Sequence, residues 1–255
     1  MRISLVLLAV TFLRAQGPVL DKKKLVDLSW TFDEKTIYWP TAKPFERHRD
    51  AWGISAGGYF YASATFTTSE HGGTHLDSPL HFGEGKWSND EIPLDRLFAP
   101  ARVIDISASC SKDRDYRLTP GDVLGYEKQH GRIDAGDIVL VRTGWGQFWP
   151  DKKSYLGCDR AGDTACLSFP GLSEAAARLL VERKVAGVGI DTASIDYGKS
   201  KDFGVHRALY PANIFGLENV AHLEKLPARG AWLMALPVKV KGGTGGPVRI
   251  VGLLP

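Results

Sequence analysis

Hydrophobic and polar positions along the chain follow two rhythms. Short apolar runs of strand type occur at residues 25–30, 60–68, 137–143, 185–191, 233–240 and 248–253. Residues 60–68 alternate large and small side chains and close on Thr and Ser, which suits a strand. Asp137-Ile-Val-Leu-Val-Arg-Thr143 has the unbroken apolar pattern of a buried strand. Helical signals are fewer. Thr119-Pro120 offers a cap followed by proline at the first helical position. Residues 172–184 are filled with Ala and Leu, start beside the candidate cap Ser173, and end on Arg183 and Lys184, where cations suit a helix C-terminus. Strands outnumber helices, and the alternation in the middle predicts one mixed α/β domain. No repeat, low-complexity linker or shift in composition marks a second one.

The first residues break the pattern. Met1-Arg2, an apolar run over residues 3–13 and then Arg14-Ala15-Gln16 resemble a secretory signal peptide. This predicts a leader at 1–15 and export to the periplasm or beyond, with a buried first strand in a cytoplasmic protein as the alternative. The run is too short to span a bilayer, and no other stretch reaches about 18 apolar residues, so no membrane span is expected. The 255 residues, 44% hydrophobic and 24% charged, suffice for a core without staples. Lys and Arg number 32 against 29 Asp and Glu, a balance that argues against a nucleic-acid partner. Cys158 and Cys166 bracket a polar loop and read equally as a disulfide of an exported protein or as two free thiols, with Cys110 left over. The absence of C-x-x-C argues against a zinc–thiolate site, and the absence of G-x-S-x-G against a serine-hydrolase triad.

Three of the seven histidines lie between residues 71 and 81, in His71-Gly-Gly-Thr-His75-Leu-Asp77-Ser-Pro-Leu-His81-Phe82. Imidazole and carboxylate suit Zn²⁺, Mn²⁺ or Fe²⁺. The glycines and Pro79 oppose a long helix, and an extended piece after a Gly-rich turn would put His75 and Asp77 on one face. His71, His75 and Asp77 as three ligands would leave positions open, as in a catalytic site.

The pattern H-x-G-T-H-x-D-x-P-x-H-F resembles the hallmark of the cyclase family of metal-dependent hydrolases. Val26-Asp-Leu-Ser29, Trp39-Pro40, Arg142-Thr-Gly-Trp145, Asp191-Thr-Ala-Ser-Ile-Asp-Tyr197 and Gly242-Gly-Thr-Gly-Gly-Pro-Val-Arg249 resemble other parts of that family, in its order, from about residue 24 to the end. The resemblance implies a barrel-like, swivelling β/α sheet in a homodimer or larger homo-oligomer, with a hydrolase domain over 24–255. It implies His71, His75 and Asp77 as metal ligands and His81 as proton donor and acceptor. His206 and Glu218 complete a two-ion site or stand behind a single ion, so one or two ions of Mn²⁺ or Zn²⁺ are expected. Trp39 matches a pocket-lining Trp, with core packing as the alternative.

The implied activity is hydrolysis of an aromatic amide or lactam by metal-activated water, with no role for the cysteines. Some relatives open the lactam of isatin and others cleave N-formylkynurenine. The segment from Ser194 through Phe203, His206, Asn213 and Ile214, and the extra length at 155–169, resemble the first branch. A non-catalytic metal-binding protein on the same fold is the third reading. Trp30 stands where many relatives carry His, which alters the pocket wall or changes nothing. Phe60 and Tyr61 either reach a neighbour's site or pack in their own core. His48, His130 and His222 match no motif and are expected at the surface or in packing.

Overall fold

Most of the strand-type runs assemble into one sheet. In the computed structural model, which describes residues 21–255, the strands are β1 (Leu25–Asp27), β2 (Glu46–Ile54), β3 (Phe60–Thr67), β4 (His75–Asp77), β5 (Phe98–Asp105), β6 (Arg117–Leu118), β7 (Ile138–Arg142), β8 (Gly171–Leu172), β9 (Gly187–Ile190), β10 (Phe215–Glu218), β11 (Arg229–Pro237) and β12 (Gly245–Leu253). The helices are α1 (Leu94–Leu97), α2 (Ser107–Cys110), α3 (Pro120–His130), α4 (Lys152–Leu156), α5 (Glu174–Glu182) and α6 (Gly204–Leu209). The leader read at 1–15 lies outside the described residues. Strands β12, β11, β5, β7, β9, β10 and β4 pair in that order, β4 returns to β12, and β1 adds an eighth strand along β12. The expected mixed, barrel-like sheet is therefore present, and it is closed.

Strands β5, β7, β9 and β10 run parallel and the other barrel pairings are antiparallel. The parallel strands are mostly apolar because both of their faces are covered, with Arg102, Asp105, Arg142 and Glu218 as the charged exceptions. Ile138 and Leu140 point into the barrel beside Phe215, Leu217, Leu233 and Ile250. Val139 and Val141 point outward, against a layer that includes Val123 of α3, Leu180 of α5 and Leu209 of α6. Side chains of this kind each contribute about 1.5–3 kcal/mol when fully buried. The barrel interior is a packed core, and two glycines of β9 make room for it. A Cβ on Gly187 would lie 2.3 Å from the Phe215 ring, and one on Gly189 would lie 2.6 Å from Leu140.

Both expected helix starts are present. Thr119 and Asp122 form a reciprocal capping box at α3, and the Ser173 hydroxyl accepts from the Ala176 N–H at α5. Cys158 and Cys166 are joined in a disulfide, while Cys110 is buried and free. Burial, then the negative charge of Asp191, pushes the Cys110 thiol up to about 12. The stretch 46–54 reads as no element in the sequence, yet it forms β2, which pairs with β3 in a two-stranded hairpin separate from the barrel.

Candidate metal centre

Strand β4 lies between β10 and β12, and the period of two puts Leu76 in the barrel core and His75 and Asp77 on the other face. Asp77 faces Gly216 on one neighbour and Gly245 on the other. Neither glycine can take a side chain. A Cβ on Gly216 would lie 2.4 Å from the Tyr210 hydroxyl, and one on Gly245 would lie 2.7 Å from the His71 ring. The space those side chains would fill is occupied by two partners of Asp77. The Tyr210 hydroxyl donates to Oδ2 at 2.7 Å, and His71 Nδ1 lies 2.6 Å from Oδ1. Glu218 ends β10 directly opposite His75, at the carboxyl end of a strand that runs parallel to β9.

Hydrogen-bond direction fixes the histidines. His75 Nδ1 is 3.0 Å from the carbonyl of Gly73, which can only accept, so Nδ1 carries the proton. In the neutral ring Nε2 is then the lone-pair nitrogen, and it is buried without a hydrogen-bond partner, 3.2 Å from Asp77 Oδ1 and 3.4 Å from Glu218 Oε2. His206 repeats the arrangement. Its Nδ1 donates to Asp196 Oδ2 at 2.6 Å, and its Nε2 faces Asp77 Oδ2 at 3.6 Å and Glu218 Oε1 at 3.5 Å. Lone pairs there would repel the carboxylate oxygens unless a proton or a metal ion lies between them. Two imidazoles and two carboxylates thus converge on space that suits a divalent cation, and the donor types fit Zn²⁺ or Mn²⁺. Two donor groups, His71–Asp77–His81 and His75–Asp77–Glu218, meet at Asp77.

The titration of these groups follows from the same crowding. Burial alone would push the Asp77 carboxyl up, but His71 and His75 hold it well below the usual carboxylate range. Burial would lower the His75 imidazole, and Asp77 and Glu218 instead raise it to about 10. His206 is raised well above its ordinary value by Asp196, Asp77 and Glu218, again against burial. Protons on these imidazoles supply the positive charge that a metal ion would replace. His81 behaves in the opposite way. Burial dominates and pushes it down to about 4, so the ring is neutral near pH 7. It stacks on His71 with centroids 3.9 Å apart.

These groups line a cavity of about 280 Å³. The apolar part of its lining includes Ile37, Trp39, Phe82 and Phe203. Trp39 both lines the cavity and packs edge-on against Phe169, so its two sequence readings hold together. Trp30 stays out of that lining. It stacks on Trp149 at 5.2 Å and contacts His222 at 4.9 Å. Phe60 and Tyr61 are exposed, and neither joins a core of its own chain. His48 and His130 are exposed as expected.

The structure brings together all six of His71, His75, Asp77, His81, His206 and Glu218. It adds residues that the sequence did not single out. Asp196 orients His206, Tyr210 donates to Asp77, and the Asn219 side chain donates at 2.7 Å to the Gly73 carbonyl that holds His75. Asp196 stands in the 191–197 motif, but no spacing rule ties it to His206.

The chain resembles known proteins in sequence and in fold. Residues 26–197 match the family described as "Putative cyclase". The chain is 37% identical to the isatin hydrolase of Roseibium aggregatum over 206 residues, which cover 78% of this chain and 77% of that protein. It is 29% identical to the kynurenine formamidase of Salinibacter ruber, over 89% of this chain and 96% of that one. Its fold matches the crystal structure of an isatin hydrolase bound to the product analogue thioisatinate with a TM-score of 0.82, at 32% identity, over 91% and 92% of the two chains.

Proposed function

The chain belongs to the cyclase family of metal-dependent hydrolases, and from that membership we propose that it opens the lactam of isatin, or a close aromatic analogue, to the ring-opened acid. It is a hydrolase of C–N bonds other than peptide bonds. The observation that carries the substrate reading is that the carboxylate–imidazole cluster and aromatic side chains line one small cavity together. Cleavage of N-formylkynurenine is the second reading, favoured by the formamidase relatives that align along most of the chain.

His71, His75, Asp77, His206 and Glu218 would hold one or two ions of Mn²⁺ or Zn²⁺. The chemistry a divalent cation supplies at such a site is Lewis acidity, which polarises a carbonyl and makes water a nucleophile near neutral pH. Asp196, the Gly73 carbonyl and Tyr210 orient the donor atoms. Trp39 and Phe203 present ring faces and edges to a planar substrate. His81 is neutral at the cavity wall and takes the proton from the attacking water as the new C–O bond forms. It returns that proton to the ring nitrogen as the C–N bond breaks. A scaffold that merely stores metal has no use for a neutral base beside it, which weighs against the non-catalytic reading.

The enzyme acts as a homodimer or larger homo-oligomer in this proposal. Support comes from the β2–β3 hairpin, where Trp52, Ile54, Tyr59, Phe60, Tyr61 and Phe66 are all exposed, a concentration that marks association surfaces. Export of the mature domain is supported by the Cys158–Cys166 disulfide, which persists in oxidising compartments. No helix of the described residues is long and apolar enough to cross a membrane.

The decisive experiment combines metal analysis of purified protein with parallel assays that follow the absorbance of isatin and of N-formylkynurenine. Faster loss of isatin is expected. Metal-replete protein that turns over neither compound removes both substrate readings.

A further inference from the structure

Apart from Gly245, the glycine-rich segment 242–247 has no part in the chemistry described so far. It ends the β11–β12 loop and opens β12, and it carries Thr244 to the side of the His71 ring that faces away from Asp77. Glycine is required for that approach. A Cβ on Gly245 would lie 2.6 Å from the Leu76 carbonyl as well as against His71, and one on Gly243 would lie 3.1 Å from Glu70 Oε1. Thr244 is then held from several directions. Its carbonyl accepts from the Ser78 N–H and the Ser78 hydroxyl, each at 2.8 Å. Its own N–H and hydroxyl both donate to Glu70 Oε2, at 2.9 and 2.6 Å.

Proton counting gives this pattern a consequence. A threonine hydroxyl has one hydrogen, and Glu70 takes it. Toward His71 Nε2, 2.9 Å away, the same oxygen can therefore only accept, so Nε2 must carry the ring proton. The competing tautomer places the proton on Nδ1, where Asp77 Oδ1 at 2.6 Å is a ready acceptor. That tautomer satisfies Asp77 with a proton and closes His71 to a cation. We infer that Glu70 and Thr244 are positioning residues that hold His71 in the Nε2–H tautomer, keep its Nδ1 lone pair available beside Asp77, and thereby set the affinity of the centre for its metal. The inference rests on the reading of the cluster as a metal centre. It also assigns the glycine-rich segment a purpose, which is to deliver one hydroxyl to one imidazole.

The test measures Zn²⁺ affinity by competition with a chromogenic chelator for wild type, Glu70→Gln, Thr244→Val and Thr244→Ser, with thermal melting as a check on folding. Removing an outer partner of this kind typically weakens binding about 10–100-fold. That loss is expected for Glu70→Gln and Thr244→Val, while Thr244→Ser keeps the hydroxyl and keeps wild-type affinity. Nitrogen-15 histidine spectra of the Zn²⁺-loaded wild type are expected to show the His71 proton on Nε2. A wild type that binds no Zn²⁺ overturns the metal-centre reading itself. A wild type that binds it, with Glu70→Gln equally tight or with the proton on Nδ1, overturns the positioning role alone. If Thr244→Val does not fold, those two measurements still decide.

Discussion

The β2–β3 hairpin and the centre around Asp77 are separated by three residues of chain, Thr68, Ser69 and Glu70, yet they depart from ordinary burial in opposite directions. Around Asp77, ionisable groups lie inside. His75, Asp77, His206 and Glu218 are all at most 5% exposed. Along the hairpin, aromatic groups lie outside, and Phe60 and Tyr61 remain more than half exposed. Each arrangement is costly if nothing completes it, since buried charge demands a counter-charge and apolar patches demand cover. The two differ in how firmly the protein holds them. His71, His75 and His206 each have an outer partner that fixes the ring's orientation, whereas the hairpin strands pair only with each other. A pre-set donor array fits a small ion of defined geometry, and a loosely tethered apolar ribbon fits a large partner surface.

The sharpest way to break the first half of this contrast is Asp77→Asn. Asp77 faces all three of His71, His75 and His206, and breaking a buried ionic network by removing one partner costs about 3–5 kcal/mol. Bound metal is expected to fall to background in elemental analysis and turnover to vanish with it. A variant that keeps its metal would mean that the carboxylate is not part of the cation's environment. Next in size is His81→Ala. Loss of a general base lowers turnover about 10²–10⁴-fold, and metal content should stay near that of wild type. Loss of metal as well would make His81 a ligand, consistent with its place beside His71 and Asp77, and would move the proton-transfer role to another group.

These two regions were unequally legible in the sequence. The 71–82 segment stands out because ligand-type residues are crowded into a turn and a strand, where spacing alone predicts a shared face. The closure that makes it a site does not show. Strand β4 pairs through three residues with 245–247, too short a match for any periodicity to reveal. Asp196, Tyr210 and Glu70 are common residue types whose roles come only from what the topology sets beside them. Strand β2 escaped notice because its first residues, Glu46-Arg-His-Arg-Asp50, are polar in unbroken succession. With neither face buried there is no alternation to detect, and pairing with β3 alone makes it a strand. Phe60–Thr67 was readable for the converse reason, yet its exposure was not.

The hairpin half of the contrast is tested by Phe60→Ser combined with Tyr61→Ser. The side chains are already exposed, so the thermal midpoint of the barrel should move little. The proposed oligomer should dissociate at a higher protein concentration than the wild type does, in light scattering coupled to size exclusion. A wild type that is monomeric at all concentrations would leave the exposed aromatics without a self-partner and point to a different surface.

The smallest effect belongs to a place where both burial rules are obeyed, and it serves as the reference for the other three. Glu127, near the end of α3, receives two hydrogen bonds from Arg183, at 2.8 and 2.9 Å, and one from the Ile133 N–H at 3.1 Å. Arg183 foremost holds the Glu127 carboxyl below its usual value. The carboxylate therefore contributes stability that is fully present above the ordinary glutamate range and is lost as pH falls through the depressed folded value. Glu127→Gln keeps the shape and removes the charge. Urea unfolding near neutral pH should show a loss of about 1–2 kcal/mol, the scale of a charge-assisted pair that is mostly shielded from solvent. In acid the two proteins should converge, because the wild-type carboxyl is then also neutral. Metal content and turnover should not change. If they fall with this substitution, the centre is not an autonomous array fixed by its own outer partners but depends on the packing of α3 and α5, and the contrast with the hairpin would be one of degree.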